Sequence, residues 1–165
     1  MGKKIVLWFI GILGSSFGKY LGVFLISMLP IVELRGAIPV AYALHIPWTV
    51  ALIVSILGNL LPVPFIILFV DKVFVFMKEK HILEDFVIKL EKKALSKSES
   101  VKKYEFFGLA IFVAIPLPGT GAWTGALIAS VLEMPKKEAI LSITLGVLMA
   151  AIIVTTLTYG LLPLI

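Results

Sequence analysis

The sequence predicts an all-α integral membrane protein built as an inverted repeat, each half a re-entrant helical hairpin followed by a transmembrane helix. Three observations carry that prediction. The 165-residue chain is 60% hydrophobic, with a mean hydropathy of +1.09. Soluble domains average roughly 45–50% apolar residues, so the excess calls for a non-aqueous solvent rather than a larger core. Trp48–Val70, Phe106–Leu132 and Ala139–Ile165 contain no side chain that is charged at neutral pH, and about 20 such residues suffice to cross the hydrocarbon core. Finally, sliding the first half by 88 positions aligns Pro30 with Pro118, Ala41 with Ala129, Leu44 with Leu132, Pro47 with Pro135, Ala51 with Ala139, Leu57 with Leu145 and Gly58 with Gly146, seven identities in 29 ungapped positions. The prolines and the glycine weigh most, because they constrain the backbone.

The N-terminal Met-Gly-Lys-Lys followed by Ile5–Leu13 resembles a secretory signal, but no small-x-small cleavage site follows, so the segment is expected to be retained. Whether Ile5–Phe17 crosses, dips or lies on the surface is open at this stage. Each half then reads alike. A short apolar arm, Leu21–Leu29 or Gly108–Ile115, leads to a breaker-rich tip, "PIVELRG" (30–36) or "PLPGTG" (116–121). A second arm follows, Ala37–His45 or Ala122–Glu133, then a proline at the start of a full-length apolar segment. Nine helical residues rise only about 14 Å, roughly half of the ~30 Å core, so such arms enter and leave by one face. The alternative is a single kinked span over Leu21–Leu44. With one crossing between equivalent points, the halves are inverted: the first hairpin opens outside, the second to the cytoplasm, and the tips meet near the midplane.

The whole chain reads as one membrane domain, with residues 1–70 as the first half plus N-terminal helix, 71–105 as a connector and 106–165 as the second half. The connector holds nine of the fifteen lysines and arginines and seven of the ten acids. Its Leu83, Phe86, Val87, Leu90 and Ala94 recur at helical spacing, which predicts an amphipathic surface helix or a solvated helical linker. Its lysines place it in the cytoplasm. The net charge of +5 is thus a matter of topology, not of nucleic-acid binding.

Glu33 and Arg35 are the sharpest candidates for a substrate or ion pathway, together with Gly36 beside them. A charge in hydrocarbon costs roughly 2.5–3.5 kcal/mol unless paired or wetted. Residues i and i+2 do not share a helix face, so a direct pair implies an extended or turned backbone. Arg35 either holds Glu33 ionised or binds an anion when Glu33 protonates; the bland reading is a salt bridge that closes the hairpin. In the second half Pro118, Gly119, Thr120, Gly121 and Trp123 form the matching candidate set. Glycines let backbone groups face a cavity or allow tight helix packing, and Trp123 stacks on substrate or anchors packing. Asn59 falls halfway along its apolar segment, where its amide needs a partner from a neighbouring helix or a substrate. Pro62 and Pro64 are expected to kink that helix. His45 and Glu133 occupy equivalent repeat positions and are expected to cap at the interface, with a proton-relay role open to His45.

The chain has no cysteine, and its two histidines, His45 and His81, have no ligand spacing, so neither metal nor cofactor is expected. No nucleophile elbow, phosphate-binding loop or zinc motif occurs. An enzyme is therefore not expected, and transport would draw on gradients.

At "ELRGAIPVAYAL" (33–44) and "AIPLPGTGAWTGALIASVLEMP" (114–135) the sequence resembles the putative small multidrug export protein family of prokaryotic membrane proteins. The resemblance implies a multi-pass protein of the cytoplasmic membrane that exports small molecules. The two breaker-rich hairpins also resemble the DedA-like superfamily, which implies proton-coupled transport, lipid-carrier translocation or membrane homeostasis. It further implies an acidic residue in the first hairpin, matched by Glu33, and arginines in the second. There the sequence departs, with Thr120, Gly121 and Trp123 in their place. The expected function is a small secondary exporter, proton-coupled through Glu33, with a lipid-carrier translocase as the alternative. Expected partners are membrane lipids, the small-molecule or lipid substrate, and a second copy of the chain as a homodimer.

Overall fold

A computed structural model describes residues 15–69, 104–117 and 119–161. The expectations for residues 5–14, for nearly all of the connector 71–105 and for Pro118 lie outside the described residues. The described elements are all helical. They are α1 (Ser16–Met28), α2 (Glu33–Ala43), α3 (Trp48–Leu60), α4 (62–69), α5 (Glu105–Ala114), α6 (Ala122–Val131) and α7 (Lys136–Thr155), the last running into a π-helical segment, Thr156–Leu161. They sort into two compact units, one of residues up to 59 together with 150 onward, the other of residues 60–149.

In the first unit α1 starts where Ser15 accepts a hydrogen bond from the Gly18 N–H, satisfying one of the helix's orphan donors. α1 and α2 pack on each other through a four-residue turn, 29–32. They fold back: Lys19 Nζ, near the start of α1, donates to the Leu44 carbonyl at the end of α2, 3.2 Å away. This excludes a single kinked span over 21–44. The turn is shorter than the sequence suggests, because α2 already begins at Glu33. Glu33, Arg35 and Gly36 therefore sit in the first turns of a helix and not in an irregular tip. The core of the unit is Val23, Ala37, Ala41, Ile46 and Ala51, with Tyr20, Tyr159 and Leu44 packed around it.

In the second unit α5 and α6 form the corresponding pair, joined by residues 115–121. Gly119 adopts φ 84° in that connection, a conformation that glycine tolerates without strain. Thr120 Oγ1 lies 2.6 Å from the Ile115 carbonyl and 2.8 Å from the Leu117 carbonyl, so its single proton closes the turn.

The 88-residue spacing recurs in the backbone. After α2, Leu44 N–H donates to Val40, His45 to Tyr42, Ile46 to Ala41 and Ala51 to Pro47; after α6, Leu132 donates to Ile128, Glu133 to Ser130, Met134 to Ala129 and Ala139 to Pro135. Both ends are Schellman caps, with the residue past the cap in the left-handed region: His45 at φ 56° and Glu133 at φ 54°. Both side chains are exposed, and the cap hydrogen bonds are made by the backbone. A left-handed non-glycine residue costs roughly 1–2 kcal/mol. His45→Gly and Glu133→Gly should each raise stability by about 1 kcal/mol in detergent unfolding, because the cap hydrogen bonds use only the backbone.

Trp48–Phe69 and Lys136–Gly160, 22 and 25 residues long, are both apolar enough to cross a membrane, and only 33% and 44% of their most apolar windows is buried. A soluble core helix would bury most of its length, and these exposed apolar faces suit lipid. The chain is a membrane protein. Helical hydrogen bonding in the first rod is interrupted by a turn at Leu61, just before Pro62 and Pro64, the break the prolines foretell.

Candidate functional site

Seven polar or charged residues are buried among those described: Ser27, Glu33, Ser55, Asn59, Ser142, Thr155 and Thr158. All but Ser142 belong to the first unit. Ser142 is accounted for by its hydrogen bond to the Phe106 carbonyl. The polar interior is thus concentrated around one hairpin.

Its depth follows from the closed end. There Lys19 meets the Leu44 carbonyl, Tyr159 Oη donates to the Ile46 carbonyl at 2.8 Å, and Tyr42 and Tyr159 stack edge to face at 5.2 Å. Exposed Trp48 starts α3 at the same end. Tyrosine, tryptophan and lysine of this kind mark a membrane–water interface. Glu33 lies ten residues along α2 from Ala43, about 15 Å away, and Asn59 eleven residues along α3 from Trp48, about 17 Å away. Both are thus about half the thickness of a ~30 Å hydrocarbon core away from that end.

Glu33 combines three costs. Its side chain is 3% exposed, its φ is 51°, and it carries a charge into an apolar hairpin. Strained residues of this sort persist only where the surroundings over-determine them, and they concentrate at functional sites. Position favours the carboxylate in one respect, since it stands at the N-terminal end of α2 where the helix dipole stabilises negative charge. Arg35, half-buried in the same turn, is attracted by the Glu33 charge. The pair is held by a helical turn and not by the extended backbone that the i, i+2 spacing suggests. Gly36 donates to the Val32 carbonyl at 3.1 Å, and a Cβ there would run into the Val32 side chain. Pro39 has no N–H to offer the Arg35 carbonyl four residues back, which loosens the start of α2.

Asn59 does not find the neighbouring-helix partner expected for it. Its Oδ1 is buried with no hydrogen bond, as are Ser55 Oγ and Thr155 Oγ1. The sequence reading overlooked Ser55 and Thr155; the i, i+4 spacing of Ser55 and Asn59 in an uncharged run was the available signal. Gly119, Thr120, Gly121 and Trp123 belong to the second unit. Thr120 closes a turn there, Gly119 supplies its positive φ, buried Gly121 precedes α6, and Trp123 is half-buried in the first turn of α6. No cluster of three or more histidine, aspartate or glutamate side chains able to hold a metal occurs among the described residues.

No curated protein and no solved structure matches the chain. A family model does, described as "Putative small multi-drug export protein", over residues 33–153. That stretch begins at the buried glutamate itself, covers most of the sequence and takes in the second hairpin turn, so the chain belongs to the putative small multi-drug export protein family.

Proposed function

We propose that the protein is a secondary exporter of a small solute in the cytoplasmic membrane of a prokaryote, coupled to protons through Glu33 with Arg35 as its competitor, and working as a homodimer. The observation that carries this reading is the Glu33 carboxylate, buried in strained backbone beside a guanidinium. A carboxylate so placed is occupied by a proton or by a cationic group, but not by both. Exclusive occupancy is what couples two fluxes. The family membership supports export.

Both hairpins are re-entrant in this reading, and the two halves are inverted in the membrane because a single crossing separates their equivalent points. Helix length supports it: α1 and α2 have 13 and 11 residues, about 20 and 16 Å, too short to span. The turn supports it too. A water-facing connection is polar, yet this one is Leu-Pro-Ile-Val, with Ile31 87% exposed. In a Cys-scanned protein, a thiol at position 45 should react with a membrane-impermeant maleimide from one face, and a thiol at position 31 from neither. Labelling of position 31 from the face opposite position 45 would refute the re-entrant hairpin.

Proteoliposomes test the activity. An imposed pH gradient should drive uptake or efflux of a panel of small cationic solutes, and solute should in turn move protons. Translocation of a lipid carrier without solute flux would overturn export in favour of a DedA-like lipid-handling role.

A further inference from the structure

We infer that the break in the first spanning helix is a binding site for a monovalent alkali cation, separate from Glu33 and independent of the export reading. The donors are oxygens. Ser55 Oγ and Asn59 Oδ1 are buried, at 0% and 1% residue exposure, with no hydrogen-bond partner. They lie one turn apart on one face of α3, where residues i and i+4 bring their Cβ atoms to about 6 Å. Between them is buried Gly58, whose carbonyl would take the N–H of residue 62 in an unbroken helix; residue 62 is proline and has none to give. Across from Gly58 stands Ser27. A Cβ on Gly58 would come within 2.8 Å of the Ser27 Cβ, so α1 and α3 touch at this point. The Ser27 hydroxyl donates its proton to the Val23 carbonyl at 3.0 Å, leaving only lone pairs to offer. Three of these four oxygens are therefore committed acceptors, and Ser55 accepts as readily as it donates.

Such a set repels an anion, a single N–H donor would meet only one of its oxygens, and leaving Ser55 and Asn59 unmet costs about 1–3 kcal/mol per group. A cation satisfies all four. α3 ends here, at Leu60, so the negative end of its dipole also points to the site. Broken helices at mid-membrane characteristically hold small cations through such carbonyls and helix C-terminal ends. The charge selects the class. The set is formally neutral, and divalent ions depend on carboxylate ligands to replace their water, whereas a monovalent alkali ion exchanges its hydration shell for neutral oxygens.

The experiment is thermal unfolding of the purified full-length chain in detergent, with NaCl, KCl and choline chloride compared at equal ionic strength. At least one alkali salt should raise Tm saturably over choline, by about 3 °C at tenfold excess over its dissociation constant. In Ser55→Ala and Asn59→Leu the alkali-specific rise should disappear, with Tm in choline unchanged or higher, since an unmet polar group has been replaced by an apolar one. Glu33→Gln should keep the rise. Identical Tm values in all three salts for the native protein, or a rise that survives in both Ser55→Ala and Asn59→Leu, would overturn the site. If Asn59→Leu does not fold, Ser55→Ala decides the matter. None of these readouts involves transport, so this site and the exporter reading fail separately.

Discussion

Gly146→Ala is expected to destabilise the protein by about 2–3 kcal/mol, and Gly58→Ala by a similar amount. The two glycines are related by the 88-residue spacing and do the same work in their own units. A Cβ at Gly146 would lie 2.6 Å from the Ala110 carbonyl oxygen and 2.6 Å from the Val113 Cβ; at Gly58 it would run into the Phe24 carbonyl and the Ser27 Cβ. The obstacles are mostly backbone and Cβ atoms, so no rotamer change relieves them and the helices must move apart. In lipid that separation is costly, because close backbone approach is a main source of helix association. Gly22 is the control. It lies inside α1 with nothing within 4 Å of an added Cβ, so Gly22→Ala should stabilise by about 0.5–1 kcal/mol through helix propensity alone. Unfolding in mixed detergent micelles reads all three. A Gly146→Ala loss no larger than about 0.5 kcal/mol would refute the close-packing account.

These glycines also show how far the sequence could be read. The 88-residue match singled out Gly58 and Gly146, and the structure gives both a physical task. Pro47 and Pro135 likewise mark the starts of long helices, because proline's missing N–H is harmless there. The arms were legible as helices for the same reason that the spans were: apolar runs with breakers between them. What could not be read was the length of the first turn. Pro30, Gly36 and Pro39 suggest an irregular stretch over 30–36, yet the chain is helical again by Glu33. Proline within the first turns and glycine inside a packed helix are both compatible with that, and packing against α1 overrides their weak local preference. The polar interior was only partly legible. Glu33 and Asn59 stand out by charge and amide, but Ser55 and Thr155 look like ordinary serine and threonine in a membrane helix, whose hydroxyls usually bond back to the preceding turn. Thr144 does so, donating to Ile140 at 2.7 Å. Ser55 and Thr155 do not; the i, i+4 spacing from Asn59 sets Ser55 apart, whereas nothing in the sequence sets Thr155 apart.

Glu33→Gln is expected to abolish proton-coupled flux, by at least about a hundredfold, while leaving the fold intact. The amide keeps the volume of the carboxylate and removes its charge and its titration. Because it leaves the half-buried Arg35 guanidinium without its countercharge, Glu33→Gln should lose about 1 kcal/mol of stability. Arg35→Gln is the informative contrast: it leaves the carboxylate without its countercharge and should destabilise by about 1–3 kcal/mol, less than a fully buried pair because Arg35 is only half-buried. Joining the two, Glu33→Gln/Arg35→Gln should recover stability close to native yet remain inactive, since no titratable group is left. That dissociation separates a coupling site from a salt bridge that merely closes the hairpin. A structural bridge predicts that the double variant, once stable, transports normally. Proteoliposome flux measured beside detergent unfolding distinguishes the outcomes, and a stable double variant with native proton-coupled flux would remove Glu33 from the mechanism.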